Sequence, residues 1–260
     1  MIRLDRLQAG YADTPVLHDI SLHIPAGSIT ALIGPNGCGK TTLLRTLCGL
    51  LPASGGGITI GGKALSQFGR KELAQKVAIL PQSRDIPALS VETLVQHGRY
   101  PHLGMSRKLT QKDLQAVADA LEKTDMTALS QCPLRQLSGG QRQRAYVAMA
   151  LAQDAEIILL DEPTTHLDLG RQFELLSLIQ SLQKDGKTVI MVLHDLEHAL
   201  RYCDHLVLLE NGRLVQSGTP EELLQSGALA QVFDITIQKA GDGYLFRPAQ
   251  PAVGSIVTKS

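Results

Sequence analysis

Residues Gly34-Pro35-Asn36-Gly37-Cys38-Gly39-Lys40-Thr41 fit the pattern G-x-x-x-x-G-K-[ST] in full. That pattern confines a chain to folds in which a buried strand runs into a Gly-rich turn and out through a helix. The flanks agree: residues 29 to 33 are a short, nearly continuous apolar run, and residues 41 to 50 read as the following helix, closed by Gly49 and Pro52. In such a loop the backbone N–H groups surround phosphates, the lysine reaches the β and γ oxygens, and the hydroxyl binds Mg²⁺. Gly34, Pro35, Asn36, Gly37, Cys38, Gly39, Lys40, Thr41 and the adjoining Thr42 are therefore the expected phosphate contacts, with Lys40 catalytic and Thr41 a metal ligand. A plain Gly-rich turn with an exposed lysine would not need that strand and helix.

A second Gly-rich loop, Leu137-Ser138-Gly139-Gly140-Gln141, has no lysine. It places two residues without side chains just before a helix, where free N–H groups and the positive dipole end favour an anion. One site complete in charge and another made of backbone and hydroxyl groups imply two half-sites that complete each other across a dimer.

With 260 residues, the chain fits one domain carrying an inserted lobe, and its 43% hydrophobic content supplies a core without staples. The 25 basic and 25 acidic side chains cancel, so no global field draws nucleic acid or anionic lipid. Cys38, Cys48, Cys132 and Cys203 lack metal-type spacing and disulfide density, which points to reduced thiols in the cytoplasm. The charged start and the lack of any run of about 18 apolar residues predict neither a signal peptide nor a spanning helix.

Residues 16 to 24 alternate as a half-buried antiparallel strand, and Ile58-Thr59-Ile60 and residues 77 to 80 are read as short strands completing the first half of a sheet. From about Ser90 to Ala152 the pattern is helical, with a capping box at Thr110 and Asp113. Strands follow at 157 to 160, 188 to 193 and 206 to 209, with a helix at 169 to 184. This alternation predicts an α/β fold with parallel strands. A hairpin turn is expected at residues 210 to 213 and a helix with Pro220 in its first position. Beyond about residue 237 the chain is weakly patterned, and two readings stand for the tail, packing on the core or disorder.

Asp161-Glu162 stands at the carboxyl end of a buried strand, the edge where open α/β sheets bind ligands. Asp161 would hold Mg²⁺ and Glu162 would polarise the water that attacks a γ-phosphate; the bland alternative is a solvated acidic turn. His194 ends a neighbouring strand and could bond a γ-phosphate and that water, although a histidine after an apolar strand is more often structural. Gln82 offers an amide oxygen to Mg²⁺ or water, or is simply a surface amide. Tyr11, in a chain with five Tyr, four Phe and no Trp, could stack on a base or pack at a rim. Cys38 is open to two readings: a reactive thiolate favoured by Lys40 and the helix dipole, or a buried inert thiol.

In order and spacing, Gly34 to Thr41, Gln82, Leu137 to Gln141, Asp161-Glu162, Thr165-His166-Leu167-Asp168 and His194 resemble the nucleotide-binding subunit of ATP-binding cassette (ABC) transporters. The resemblance implies a phosphate-loop NTPase (RecA-like) core, residues 2–86 and 155–236, with an antiparallel β subdomain, an inserted α-helical subdomain at about 87–154, and a C-terminal tail at 237–260. It implies ATP and Mg²⁺ as ligands, Glu162 as catalytic glutamate, His194 as switch histidine, Gln82 as Mg²⁺-contacting glutamine, Tyr11 as adenine stack and Asp168 as cross-subunit aspartate. It also implies a homodimer under two membrane permeases, at the cytoplasmic face of the inner membrane, fed by an extracytoplasmic binding protein, with no nucleic acid. The permease groove is expected around Gln82 to His102.

Gly98-Arg99-Tyr100-Pro101-His102 and the stretch from Pro163 to Asp168 look like the importers of ferric siderophores, ferric citrate, haem and cobalamin, with ferric dicitrate the nearest match. The alternatives are a haem or cobalamin importer and a non-transport cassette ATPase, which usually brings coiled-coil arms or a zinc module. A small phosphate-loop kinase is a third, and it would have no use for Leu137 to Gln141.

Overall fold

The computed structural model describes residues 1–12, 14–80, 86–104, 108–165, 167–241 and 243–249. The chain opens with two long antiparallel strands, β1 (Ile2–Tyr11) and β2 (Thr14–Ile24), and then enters β3 (Ile29–Ile33), the strand that precedes the Gly-rich loop. After the loop come α1 (Lys40–Leu47), β4 (Ala53–Ile60), the short β5 (Lys63–Ala64), α2 (Arg70–Lys76) and β6 (Val77–Leu80). α1 is shorter than the sequence predicts, because Gly49 turns to φ +71° and its N–H closes on the Thr46 carbonyl.

Between β6 and the next strand the described residues include three α-helices, α3 (Val91–His97), α4 (Gln111–Lys123) and α5 (Gly139–Ala152). The α/β pattern then resumes through β7 (Ile157–Leu160), α6 (Leu169–Lys184), β8 (Thr188–Val192), α7 (Leu196–Tyr202), β9 (His205–Glu210) and β10 (Arg213–Gly218). Two short helices, α8 (Pro220–Gln225) and α9 (Ala228–Phe233), lead to β11 (Ile235–Ala240) and β12 (Gly243–Pro248).

Two larger sheets, besides the β11-β12 pair, organise the described elements. One has the order β10-β9-β3-β8-β7-β6, and the other has the order β2-β1-β4-β5. In the first, β9, β3, β8, β7 and β6 pair in parallel and only β10 runs against its neighbour. Every residue of β3, β7 and β8 is buried, which is why their sequences read as unbroken apolar runs rather than alternations. Successive side chains still point to opposite faces: Ile158, Leu160, Val189 and Met191 join the core shared with the helices α3 to α6. Ile157, Leu159, Ile190 and Val192 join the core shared with α1 and the antiparallel sheet.

Two expectations need correction. Ile58-Thr59-Ile60 belongs to a longer strand that crosses the glycine triplet and pairs with β1, so it lies in the antiparallel sheet, apart from residues 77 to 80. A Cβ at Gly56 would lie 2.1 Å from the Arg6 carbonyl oxygen, so the triplet permits that close pairing. Gly139 and Gly140 are the first two residues of α5, capped by Ser138, rather than residues preceding it. Of the two readings of the tail, its described part follows the first: β12 pairs with β11, and Ile237, Tyr244 and Phe246 pack on the larger core.

Within the helical insert the capping box is present: Asp113 accepts from the Thr110 N–H at 2.9 Å and its hydroxyl at 2.6 Å. The same carboxylate also accepts from Arg99 Nε at 2.9 Å, and Arg99 Nη1 donates to the Ala152 carbonyl at 2.7 Å. One buried ion pair thereby ties the end of α3, the start of α4 and the end of α5.

Candidate functional site

The carboxyl ends of β3, β7 and β8 lie side by side, and each carries part of the site. From β3 the chain enters the Gly-rich loop, whose conformation only glycine permits at two positions. Gly34 has φ +144° and a Cβ there would lie 2.0 Å from the Leu209 carbonyl oxygen; Gly39 has φ +103° and its Cβ would lie 2.7 Å from Leu17 Cδ2. Lys40 is 6% exposed. Its ammonium donates to the carbonyls of Gly34 at 2.8 Å and Pro35 at 2.9 Å, so the lysine holds the ring of the loop closed. Thr42 is buried, and its carbonyl accepts the Thr46 hydroxyl at 2.8 Å.

Across the first gap, Thr41 Oγ1 donates to Asp161 Oδ1 at 3.1 Å, joining the loop to the end of β7. Burial pushes the Asp161 carboxyl above the usual carboxylate range; the Thr41 hydrogen bond opposes this and the charge of Glu162 reinforces it. A divalent cation beside Thr41 and Asp161 would reverse that balance. Hydroxyl and carboxylate oxygens are the ligands Mg²⁺ takes, completed by phosphate and water. Among the described residues no group of three or more His, Cys, Asp or Glu gathers as a self-sufficient metal site.

Glu162 has φ +52°, a left-handed conformation that costs a non-glycine residue about 1–3 kcal/mol. The distortion turns its side chain back toward β8, where Oε1 lies 2.6 Å from His194 Nε2. Glu162 and His194, read separately from the sequence, form one pair. The Thr165 hydroxyl donates to Glu162 Oε2 at 3.2 Å. Sequence reasoning quoted Thr165 only within the stretch to Asp168 and gave it no role, although a hydroxyl three residues beyond a carboxylate in a tight turn is within reach of it.

Tyr11, at the end of β1, is 42% exposed and its hydroxyl accepts from Arg45 Nη1 at 3.4 Å. Tyr11, Arg45, Leu50, Leu51, Ile79 and Asp161 line one cleft of about 200 Å³, so the Tyr11 side chain and the Asp161 carboxylate border the same space. Arg45 is a second residue missed, sitting one helical turn beyond Thr41.

The second loop lies elsewhere. Leu137 is buried, Ser138 Oγ accepts from the Gln141 N–H at 3.2 Å, and Gln141 Oε1 accepts from the Ser138 N–H at 3.0 Å. A Cβ at Gly139 would meet nothing within 4 Å, whereas Gly140 faces Arg171 in a cleft lined by no residue of the first loop. Asp168 caps α6 by accepting from the Arg171 N–H at 3.0 Å. Gln82 and His166 lie outside the described residues.

Comparison with known proteins matches residues 17–165 to the ABC transporter family. The chain belongs to the ABC transporter family. It is 42% identical over 246 residues to the iron(3+)-hydroxamate import ATP-binding protein FhuC of Bacillus subtilis (strain 168), covering 94% of this chain and 91% of that protein. It is 40% identical over 236 residues to the ferric enterobactin transport ATP-binding protein FepC of Escherichia coli (strain K12), covering 90% and 87%. Among solved structures, the dimeric post-hydrolysis state of the cassette MJ0796 bound to ADP and Pi aligns with TM-score 0.74 and 25% identity, over 85% of this chain and 99% of that one. The chain is thus an ATP-binding, ATP-hydrolysing subunit of an ABC transporter, with the phosphate-loop NTPase fold.

Position 38 of the Gly-rich loop has two readings, and burial bears on them. Cys38 is 3% exposed, and burial raises its pKa despite the lowering effect of the nearby Lys40 charge. The reactive-thiolate reading is corrected: loss of hydration outweighs the lysine and the helix end. No helix among the described residues is long and apolar enough to cross a membrane.

Proposed function

We propose that the chain energises import of a ferric chelate, with ferric dicitrate the first ligand to test, as a homodimer docked at the cytoplasmic face of the inner membrane. The carrying observation is the cluster at one sheet edge: Lys40 closing the loop, Thr41 joined to Asp161, and Glu162 paired with His194. The chelate class is supported by the relatives, one named for iron(3+)-hydroxamate import and the other for ferric enterobactin transport. The ligand itself would meet a binding protein and two permeases, and the permeases would seat on the groove around Gln82 to His102.

In this reading MgATP enters with adenine on Tyr11 and its phosphates in the loop, where they draw the Lys40 ammonium away from the Gly34 and Pro35 carbonyls. Thr41, Asp161 and Gln82 would hold Mg²⁺, which would supply positive charge to offset the phosphates. Glu162 takes a proton from the attacking water, and His194 steadies the γ-phosphate. The separate second loop supports a dimer: Ser138, Gly139, Gly140 and Asp168 of one subunit would face the nucleotide held by the other. ATP would favour the closed dimer because both half-sites bind it there. Within each subunit Gln143 Nε2 donates to the Pro163 carbonyl at 3.1 Å, so α5 touches the turn that holds Glu162.

The test is reconstitution with the permease pair and binding protein, reading ATPase rate and radioactive iron uptake. Ferric dicitrate or another ferric chelate should stimulate both; stimulation by haem or cobalamin and by no ferric chelate would overturn the proposal.

A further inference from the structure

Thr165 grips Glu162 twice. Its amide N–H closes the turn on the Glu162 carbonyl at 3.3 Å, and its hydroxyl donates to Oε2 at 3.2 Å. On the other side of the carboxylate, Oε1 faces His194 Nε2 at 2.6 Å. The turn around them is fastened from two helices, by Gln143 of α5 on the Pro163 carbonyl at 3.1 Å and by Gln172 of α6 on the Thr164 carbonyl at 3.4 Å.

We propose that Thr165 is a positioning residue for hydrolysis: its hydroxyl fixes Oε2 so that Oε1 alone changes partner, from the His194 imidazole to the attacking water. This rests on the reading of Glu162 as general base. The argument concerns rotation. A carboxylate turns easily about its terminal bond, whose torsional wells are broad. When His194 turns to the γ-phosphate, Oε1 gives up the imidazole, and a donor that stays on Oε2 keeps the carboxylate plane in place. Threonine suits the task because its branched Cβ leaves few χ1 wells, so the hydroxyl is held by its own backbone.

The chemical step is then ordered. The water O–H bond breaks and its proton passes to Oε1. The water oxygen bonds to the γ-phosphorus as the bond to the β-phosphate oxygen breaks, and that electron pair leaves on ADP. Thr165 takes no proton and touches no reacting atom.

The experiment compares the full-length parent with Thr165→Val, Thr165→Ser and Glu162→Gln, reading kcat, KM for MgATP, nucleotide affinity and melting temperature. Valine keeps the shape and loses the donor, while serine restores it. A hydrogen bond to a charged group predicts a fall in kcat of about tenfold for Thr165→Val, with KM and affinity within about twofold, and recovery in Thr165→Ser to within about threefold of the parent. Parental kcat in Thr165→Val beside an inactive Glu162→Gln would overturn the positioning role and leave the base standing. Parental activity in Glu162→Gln would overturn the base reading itself. Equal losses in kcat, affinity and melting temperature for both threonine variants would mean that the residue only builds the turn, and would also overturn the proposal.

Discussion

The ion pair inside the helical insert makes a prediction whose size follows from its surroundings. Asp113 is 5% exposed and Arg99 3%, and their 2.9 Å contact joins three helices. The Thr110 hydroxyl and amide, followed by the Arg99 guanidinium, hold the Asp113 carboxyl down to about 2 from an ordinary value of 3.8. A folded-state pKa below the unfolded one means that the stabilisation is complete above about pH 4 and is lost as pH falls through 2. The difference amounts to about 2 kcal/mol, of which about half is gone by pH 3. Asp113→Asn at neutral pH removes the charge and leaves Arg99 buried without its counterion, a loss of about 3–5 kcal/mol. Urea unfolding of both proteins from pH 6 to pH 2 reads this directly. The stability gap between parent and variant should narrow by about 2 kcal/mol across the acid range. A gap that stays constant with pH would refute the account of the carboxyl, and equal urea midpoints at pH 7 would refute the account of the pair.

Two further predictions concern the Gly-rich loop. Because Cys38 is buried and its thiol is held protonated, N-ethylmaleimide should modify it more slowly than a free thiol at pH 7, and Cys38→Ser should leave the rate of inactivation unchanged; rapid inactivation abolished by Cys38→Ser would restore the thiolate reading. Gly34→Ala should lose MgATP binding by at least about tenfold and lower the melting temperature, since its Cβ would meet the Leu209 carbonyl oxygen at 2.0 Å; parental affinity in an isothermal titration would contradict that packing.

Elements with one dominant local signal were legible in the chain. The helix read at 169 to 184 is α6, Leu169–Lys184, and the Thr110–Asp113 box caps α4 as its residue types require. Legibility failed where partners are distant in sequence. Gly55 to Gly57 read as a break because a glycine run lacks β propensity, yet β1 supplies the pairing that carries a strand through it. The final hairpin carried a signal that went unused: Gly241-Asp242 separates Ile235 and Ile237 from Tyr244 and Phe246, apolar pairs on either side of a turn.

At the site, the sequence places Glu162 and His194 at neighbouring strand ends, but their 2.6 Å contact depends on a backbone angle that no motif encodes. Thr165 and Arg45 act through side-chain reach, which spacing alone does not resolve. Cys38 was balanced between charge and burial, and only the packing around the loop weighs the two.

The central claim is that ATP is hydrolysed between the first loop of one subunit and the second loop of another, and mixed dimers test it. A subunit carrying Lys40→Ala is paired with one carrying Ser138→Arg, and the parent is paired with a subunit carrying both substitutions. The account predicts that the first pair retains about half of the parental ATPase rate, because one composite site escapes both lesions, while the second pair has a lesion in each site and is inactive. An inactive first pair beside an active second pair would place both loops in one subunit's site and contradict the claim.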